Sequence, residues 1–152
     1  MKYIPVLVFS MLLCSGCNFP SEKNTYAKIS EEISAKNLND QDPLKESIER
    51  GSFIYQDFCM TCHLPDGKGV EKSFPPLAGS DFLMNKRTES IRAIKYGQNE
   101  TITVNGVSYT GVMAAMGLEN NEVADVMNYI MNSWGNNQIE MVTEEEVEKV
   151  AK

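Results

Sequence analysis

Residues 59–63 read Cys-Met-Thr-Cys-His. Two thiols three residues apart lie about one helical turn from each other, and an imidazole follows directly. Such a set can attach a haem. The thiols add to the two vinyl groups along one porphyrin edge, and the adjacent His63 lies under the iron as an axial ligand. Covalent attachment keeps the group in place while the chain breathes. Other uses of these atoms need partners that the chain lacks. A zinc site built on the cysteine pair would take two further ligands, and His63 is the only histidine. A thioredoxin-like redox pair belongs in a βαβ setting, and no strand pattern precedes Cys59. A disulfide between the two cysteines would give His63 no role. The motif therefore points to one covalent haem c held by Cys59, Cys62 and His63.

A second pair of the same spacing, Cys-Ser-Gly-Cys at 14–17, lies about forty residues upstream, against about 15–20 for ribbon-type zinc sites. It belongs to a different kind of segment. Lys2 supplies a positive charge, and Tyr3 to Leu13 is an apolar run broken by Pro5 and Ser10. The run is too short to span a bilayer and fits the core of a secretory signal peptide, residues 1–16. Ser15, Gly16 and Cys17 then resemble a bacterial lipobox, in which the cysteine becomes the lipidated first residue of the mature chain. The position three before Cys17, usually Leu, is Cys14 here. Lipidation at Cys14 instead would put Leu13 where a small residue is required. The resemblance implies a diacylated Cys17 and stable attachment to a membrane. Ordinary cleavage to a soluble periplasmic protein is the alternative.

The remainder divides into a polar tether through residue 45, a folded domain over 46–137, and an acidic tail over 138–152. Residues 18–42 carry few large apolar side chains, with a fraying helix around Tyr26–Lys36. Asp42-Pro43 is a helix start, a capping carboxylate before Pro at the first helical position. That helix is expected to run to about Cys59. Ser80 caps a short helix with Phe82, Leu83 and Met84. Thr88 caps another that carries Ile91 and Ile94 and stops at Gly97. Asn105-Gly106, between β-branched residues, is the preferred two-residue hairpin turn. Val123, Val126, Met127, Ile130 and Trp134 mark a last helix from about Asn120 to Trp134, stopped by Gly135. The tail segment VTEEEVEKVAK has only a thin apolar face. The expected class is all-α with one short hairpin. A core of this size is small, which leaves room for a cofactor at its centre.

Over 46–137 the chain resembles a class I, single-haem cytochrome c. The likeness lies in "CMTCHLPDGKG", the Pro-Leu of "FPPLAG", the methionine loop "GVMAAMG" and the C-terminal "NSWGN". It implies that the first and last helices cross through Gly51, Tyr55 and Tyr129. It also implies that a proline carbonyl, Pro76 or alternatively Pro75, accepts the proximal imidazole's N–H and raises its basicity. With His63 engaged and no second histidine in the chain, the sixth position is left to a methionine, another weaker side chain, water or nothing. Met84, Met127 and Met131 sit on helices as core residues, and Met141 lies in the tail. Met113 and Met116 remain. Met113 follows Gly111 in an extended segment, whereas Met116 leads into the last helix. The family pattern G-x-M-P-A-F also places the ligand at Met113. The chain has Ala114 in place of the family's proline and Met116 in place of its aromatic.

These residues imply one-electron transfer through His/Met-ligated haem between envelope redox partners, with no catalytic constellation and no small-molecule substrate. Two alternatives stay open. One is a fixed electron-entry subunit of a larger oxidoreductase. The other is a five-coordinate haem that binds a gas or peroxide. The net charge of −7 argues against binding a nucleic-acid backbone.

Overall fold

The computed structural model describes residues 42–152. The expected signal peptide, the lipidated Cys17, its neighbour Cys14 and most of the tether lie outside the described residues.

Helix α1, Pro43–Phe58, starts as its first residues dictate. The Asp42 carboxylate accepts from the Leu44 N–H at 3.0 Å, and Pro43 gives up an N–H that would have had no helical partner. The short helix α2, Met60–His63, carries the cysteine–histidine motif. Helix α3, Asp81–Asn85, is capped by Ser80, whose hydroxyl accepts from Leu83 N–H at 3.1 Å. Helix α4 spans Arg87–Tyr96. It begins at Arg87 after Lys86, so Thr88 is a first-turn residue and not the expected cap. Strands β1, Ile102–Val104, and β2, Val107–Tyr109, pair antiparallel with Val104 opposite Val107. Asn105 and Gly106 turn the chain with φ of 51° and 79°, as a type I′ turn requires.

Helix α5, Asn120–Ile130, is the central element. It packs against α1 at Gly51. A Cβ on Gly51 would collide with the Asp125 backbone and the Tyr129 Cβ, so only glycine permits this approach. A buried polar link reinforces the contact. The Ser47 hydroxyl donates to Asp125 at 2.6 Å and accepts from Asn128 Nδ2 at 2.8 Å. Tyr55, Tyr129 and Trp134 cluster beside it, with ring centroids 5.0–5.6 Å apart. The apolar stripe led to an expected helix end at Trp134. The helix in fact stops at Ile130, and Trp134 sits in the following turn with φ 53°. The stripe continues because that turn folds Trp134 back onto Tyr55.

The larger correction concerns residues 138–152, expected as a tail beyond the domain. They are packed on it. Val142, Val147 and Val150 are buried, the first two fully. Val142 is tied to Asn128 through both backbone groups, N–H to Oδ1 at 2.7 Å and carbonyl to Nδ2 at 2.9 Å. Helix α6, Glu144–Lys149, follows, with Thr143 as its cap. Arg87 grips it in two parallel bonds to Glu146 at 2.6 and 2.7 Å. The same guanidinium donates to the carbonyls of Glu140 and Met141. Lys95 donates to the carbonyl of Val147, and the Tyr96 hydroxyl to that of Val150.

Candidate functional site

The chain from α1 into α2 brings Cys59, Cys62 and His63 to one wall of a cavity of about 340 Å³. That volume falls in the range of about 300–1,000 Å³ usual for cofactor and small-molecule pockets. Other walls come from Leu83 in the middle of α3, Ile94 of α4, Val104 and Tyr109 of the hairpin, and Val126 and Ile130 of α5. The lining is overwhelmingly apolar. Both Met113 and Met116 contribute to it.

His63 is buried, with 8% of its surface exposed. Its Nδ1 lies 3.0 Å from the Pro75 carbonyl. A carbonyl only accepts, so Nδ1 carries the proton and the lone pair is on Nε2. Burial lowers the imidazole pKa, opposed by the Pro75 hydrogen bond, which favours the charged form. The ring is therefore a neutral donor at neutral pH. The acceptor is Pro75 and not Pro76. The loop decides this. Val70 and Phe74 form an isolated antiparallel bridge that turns the chain so that the carbonyl after Phe74 faces the imidazole. Pro76 lines the cavity beside it.

Cys59 and Cys62 are free thiols, each part-buried. Burial pushes the Cys59 thiol up to about 11, and the neighbouring Cys62 adds to this. A thiol so raised is not the low-pKa nucleophile of a redox pair.

Met113 is held by its backbone. It bridges Gln98 in both directions, N–H to carbonyl at 2.7 Å and carbonyl to N–H at 2.8 Å. Gly97 makes room for this bridge. Its φ is 83°, and a Cβ there would lie 2.8 Å from the Met113 carbonyl oxygen. Among the described residues no backbone hydrogen bond of that kind involves Met116. Met127 and Met131, expected as core, are fully buried.

One polar atom was not singled out from sequence. Ser90 Oγ lines the cavity and is the only buried side-chain polar atom without a partner among the described residues. A serine in the middle of α4 carries no sequence signal that separates it from an ordinary surface hydroxyl. A buried orphan hydroxyl is costly unless something polar meets it. A large, mainly apolar group with a polar periphery fits both the lining and this hydroxyl. Haem has that character, and two thiols and a neutral imidazole at one wall are the donors it requires.

Comparison with known proteins agrees with the geometry. The family model described as cytochrome c matches residues 48–134. Cytochrome c-552 of Thermus thermophilus is 36% identical over 109 residues, covering 66% of this chain and 82% of that protein. The cytochrome c subunit of the quinone alcohol dehydrogenase of Gluconobacter oxydans is 31% identical over 105 residues. That alignment takes in 66% of this chain and only 21% of the subunit. A cytochrome c subunit of gluconate 2-dehydrogenase from Pantoea cypripedii is 31% identical over 111 residues, a quarter of its length. The chain belongs to the cytochrome c family, electron-transfer proteins that carry covalently bound haem c, and it is not an enzyme.

Proposed function

We propose that this protein is a single-haem carrier that moves one electron at a time between redox partners of the bacterial cell envelope. In this reading Cys59 and Cys62 form the two thioether bonds, His63 and Met113 are the axial ligands, and a lipid on Cys17 anchors the chain. The observation that carries it is convergence. A cysteine pair, a neutral histidine whose lone pair is on Nε2, and a methionine fifty residues further along the chain all line one apolar cavity.

When bound, haem supplies an iron that alternates between two oxidation states, and a thioether ligand favours the reduced one. The protein's own residues do the rest. Pro75 orients the imidazole and raises the basicity of its metal-binding nitrogen. The bridge to Gln98 holds the backbone of Met113, which supports it over Met116 as the sulfur donor. The apolar walls keep water from the site, so charge changes there are felt strongly. Phe58, Phe74 and Val112 line the cavity and are also exposed, at 46%, 38% and 75%. They offer a partner an uncharged rim to meet.

The optical spectrum of the purified full chain, oxidised and reduced, tests this reading. We expect a low-spin c-type spectrum in both states, reversible one-electron titration, and no carbon monoxide binding to the reduced form. A high-spin spectrum with ready carbon monoxide binding would replace the carrier with a five-coordinate, ligand-binding haem. The relatives that are subunits of dehydrogenases support a second reading, a fixed electron-entry subunit. Co-purification with a large oxidoreductase, in place of free diffusion, would select it.

A further inference from the structure

Asn136 lies just past Gly135, beyond the end of α5, and only 9% of its surface is exposed. Both ends of its side-chain amide are engaged. Oδ1 accepts from the Gly79 N–H at 2.9 Å. Nδ2 donates one hydrogen to the Leu77 carbonyl at 2.9 Å and the other to the Ile130 carbonyl at 2.8 Å. The partners fix which end of the amide is which, because a backbone N–H only donates and a carbonyl only accepts. Ile130 is the last residue of α5, where carbonyls lack a helical partner. Asn136 thus ties the end of the central helix to the segment 77–79.

That segment also reaches back to the histidine loop. The Leu77 and Ala78 N–H groups both donate to the Gly67 carbonyl, at 2.7 and 2.9 Å, and the Gly69 N–H donates to the His63 carbonyl at 3.0 Å. Pro75 stands at the head of the segment, with its carbonyl on His63 Nδ1. Upstream, the Val70–Phe74 bridge fixes the approach. Downstream, neither Pro75 nor Pro76 has an N–H with which to anchor itself. The position of the Pro75 carbonyl therefore depends on what holds residues 77–79.

We propose that Asn136 is a positioning residue for the His63 imidazole. By pinning Leu77 and Gly79 it keeps the Pro75 carbonyl against Nδ1–H, and so sets how strongly Nε2 donates to the metal. The inference rests on His63 being an axial ligand. A hydrogen bond from Nδ1–H to a carbonyl raises the basicity of the ligating nitrogen, and a more basic ligand favours the oxidised iron. Loosening the carbonyl moves the reduction potential upward and lets the Nδ1 proton exchange faster.

The test uses the full chain with haem attached, as Asn136→Ala and as the control Asn132→Ala. Among the described residues the Asn132 side chain bonds only within the C-terminal segment, to Asn128 and Gln138, so its loss disturbs the same turn without reaching the proline loop. The readouts are the reduction potential and the solvent exchange of the His63 Nδ1–H resonance in the reduced protein. Asn136→Ala is expected to raise the potential and to speed exchange on the order of tenfold, the scale of one lost net hydrogen bond. Asn132→Ala is expected to change neither. Equal effects from both variants, or a fall in melting temperature alone with Asn136→Ala, would overturn the proposal. Should Asn136→Ala fail to fold, the unmodified protein still decides. Its Gly79 amide and His63 Nδ1–H are expected to lose protection together as denaturant is raised, and a Gly79 amide that opens earlier contradicts the clamp. A wild-type spectrum without histidine ligation would sink the ligation reading first, and is recognised separately from these outcomes.

Discussion

Met113 and Met116 share one cavity, yet only Met113 has its backbone bridged to Gln98. Replacing each in turn separates them. Met113→Ala is expected to abolish the weak near-red band of methionine-ligated oxidised haem and to lower the reduction potential. Met116→Ala is expected to keep the band. The reverse pattern would exchange the two roles. At this scale the legibility of the sequence follows locality. Cys59, Cys62 and His63 are contiguous, so their joint chemistry is readable without a fold. Pro75 and Pro76 are adjacent and identical in type. Which carbonyl meets His63 depends on the path of the Val70–Phe74 turn, and no composition or periodicity encodes that path. Ser90 escaped notice for the same reason, because its burial comes from elements distant in sequence.

Element starts were readable where a side chain caps them, and not at α4, which begins at Arg87 after Lys86 without a side-chain cap. Asp42-Pro43 and Ser80 announce helices through side chains that cap them. The close of α5 is hidden, since Trp134 extends the apolar stripe from a turn and not from a helix. The docking of α6 is hidden too, because Val142, Val147 and Val150 are spaced five and three apart and mark no single helical face. The α1–α5 contact is a sharper case. Gly51→Ala places a methyl against the Asp125 backbone, which cannot yield as a side-chain tip can. The expected cost is about 1–3 kcal/mol, read as a lower denaturant midpoint at unchanged slope. Helix α6 carries its own signature in acid. Hydrogen bonds from Arg87 hold the Glu146 carboxyl below its ordinary range, against partial burial. The sign follows from linkage. The contribution is complete above the unfolded value of about 4.3 and is lost as pH falls through the lower folded value. Melting temperatures of wild type and Glu146→Gln should therefore differ at pH 6 and converge in strong acid. A gap that stays constant down to pH 3 would show that the pair contributes nothing.

As a whole the molecule is acidic, with a net charge of −7. The proposed lipid anchor is at Cys17. Cys17→Ser is expected to move the protein from the detergent-extracted membrane fraction to the soluble one, and an unchanged distribution would remove the lipid from the account. The downstream end closes the fold beyond the span matched by the family model, which stops at residue 134. It covers a specific set of cations. Arg87, Arg92 and Lys95 all direct their donors into residues 140–151. Residues 138–152 bring five glutamates against two lysines, a net charge of −3. A proteolytic cut after residue 137 would thus do more than loosen the core. It would strip an acidic cover and bare three basic side chains along α4, leaving a protein that binds a cation-exchange resin more tightly than the intact chain. One face of an otherwise anionic carrier would change sign, and the partners it attracts at long range would change with it.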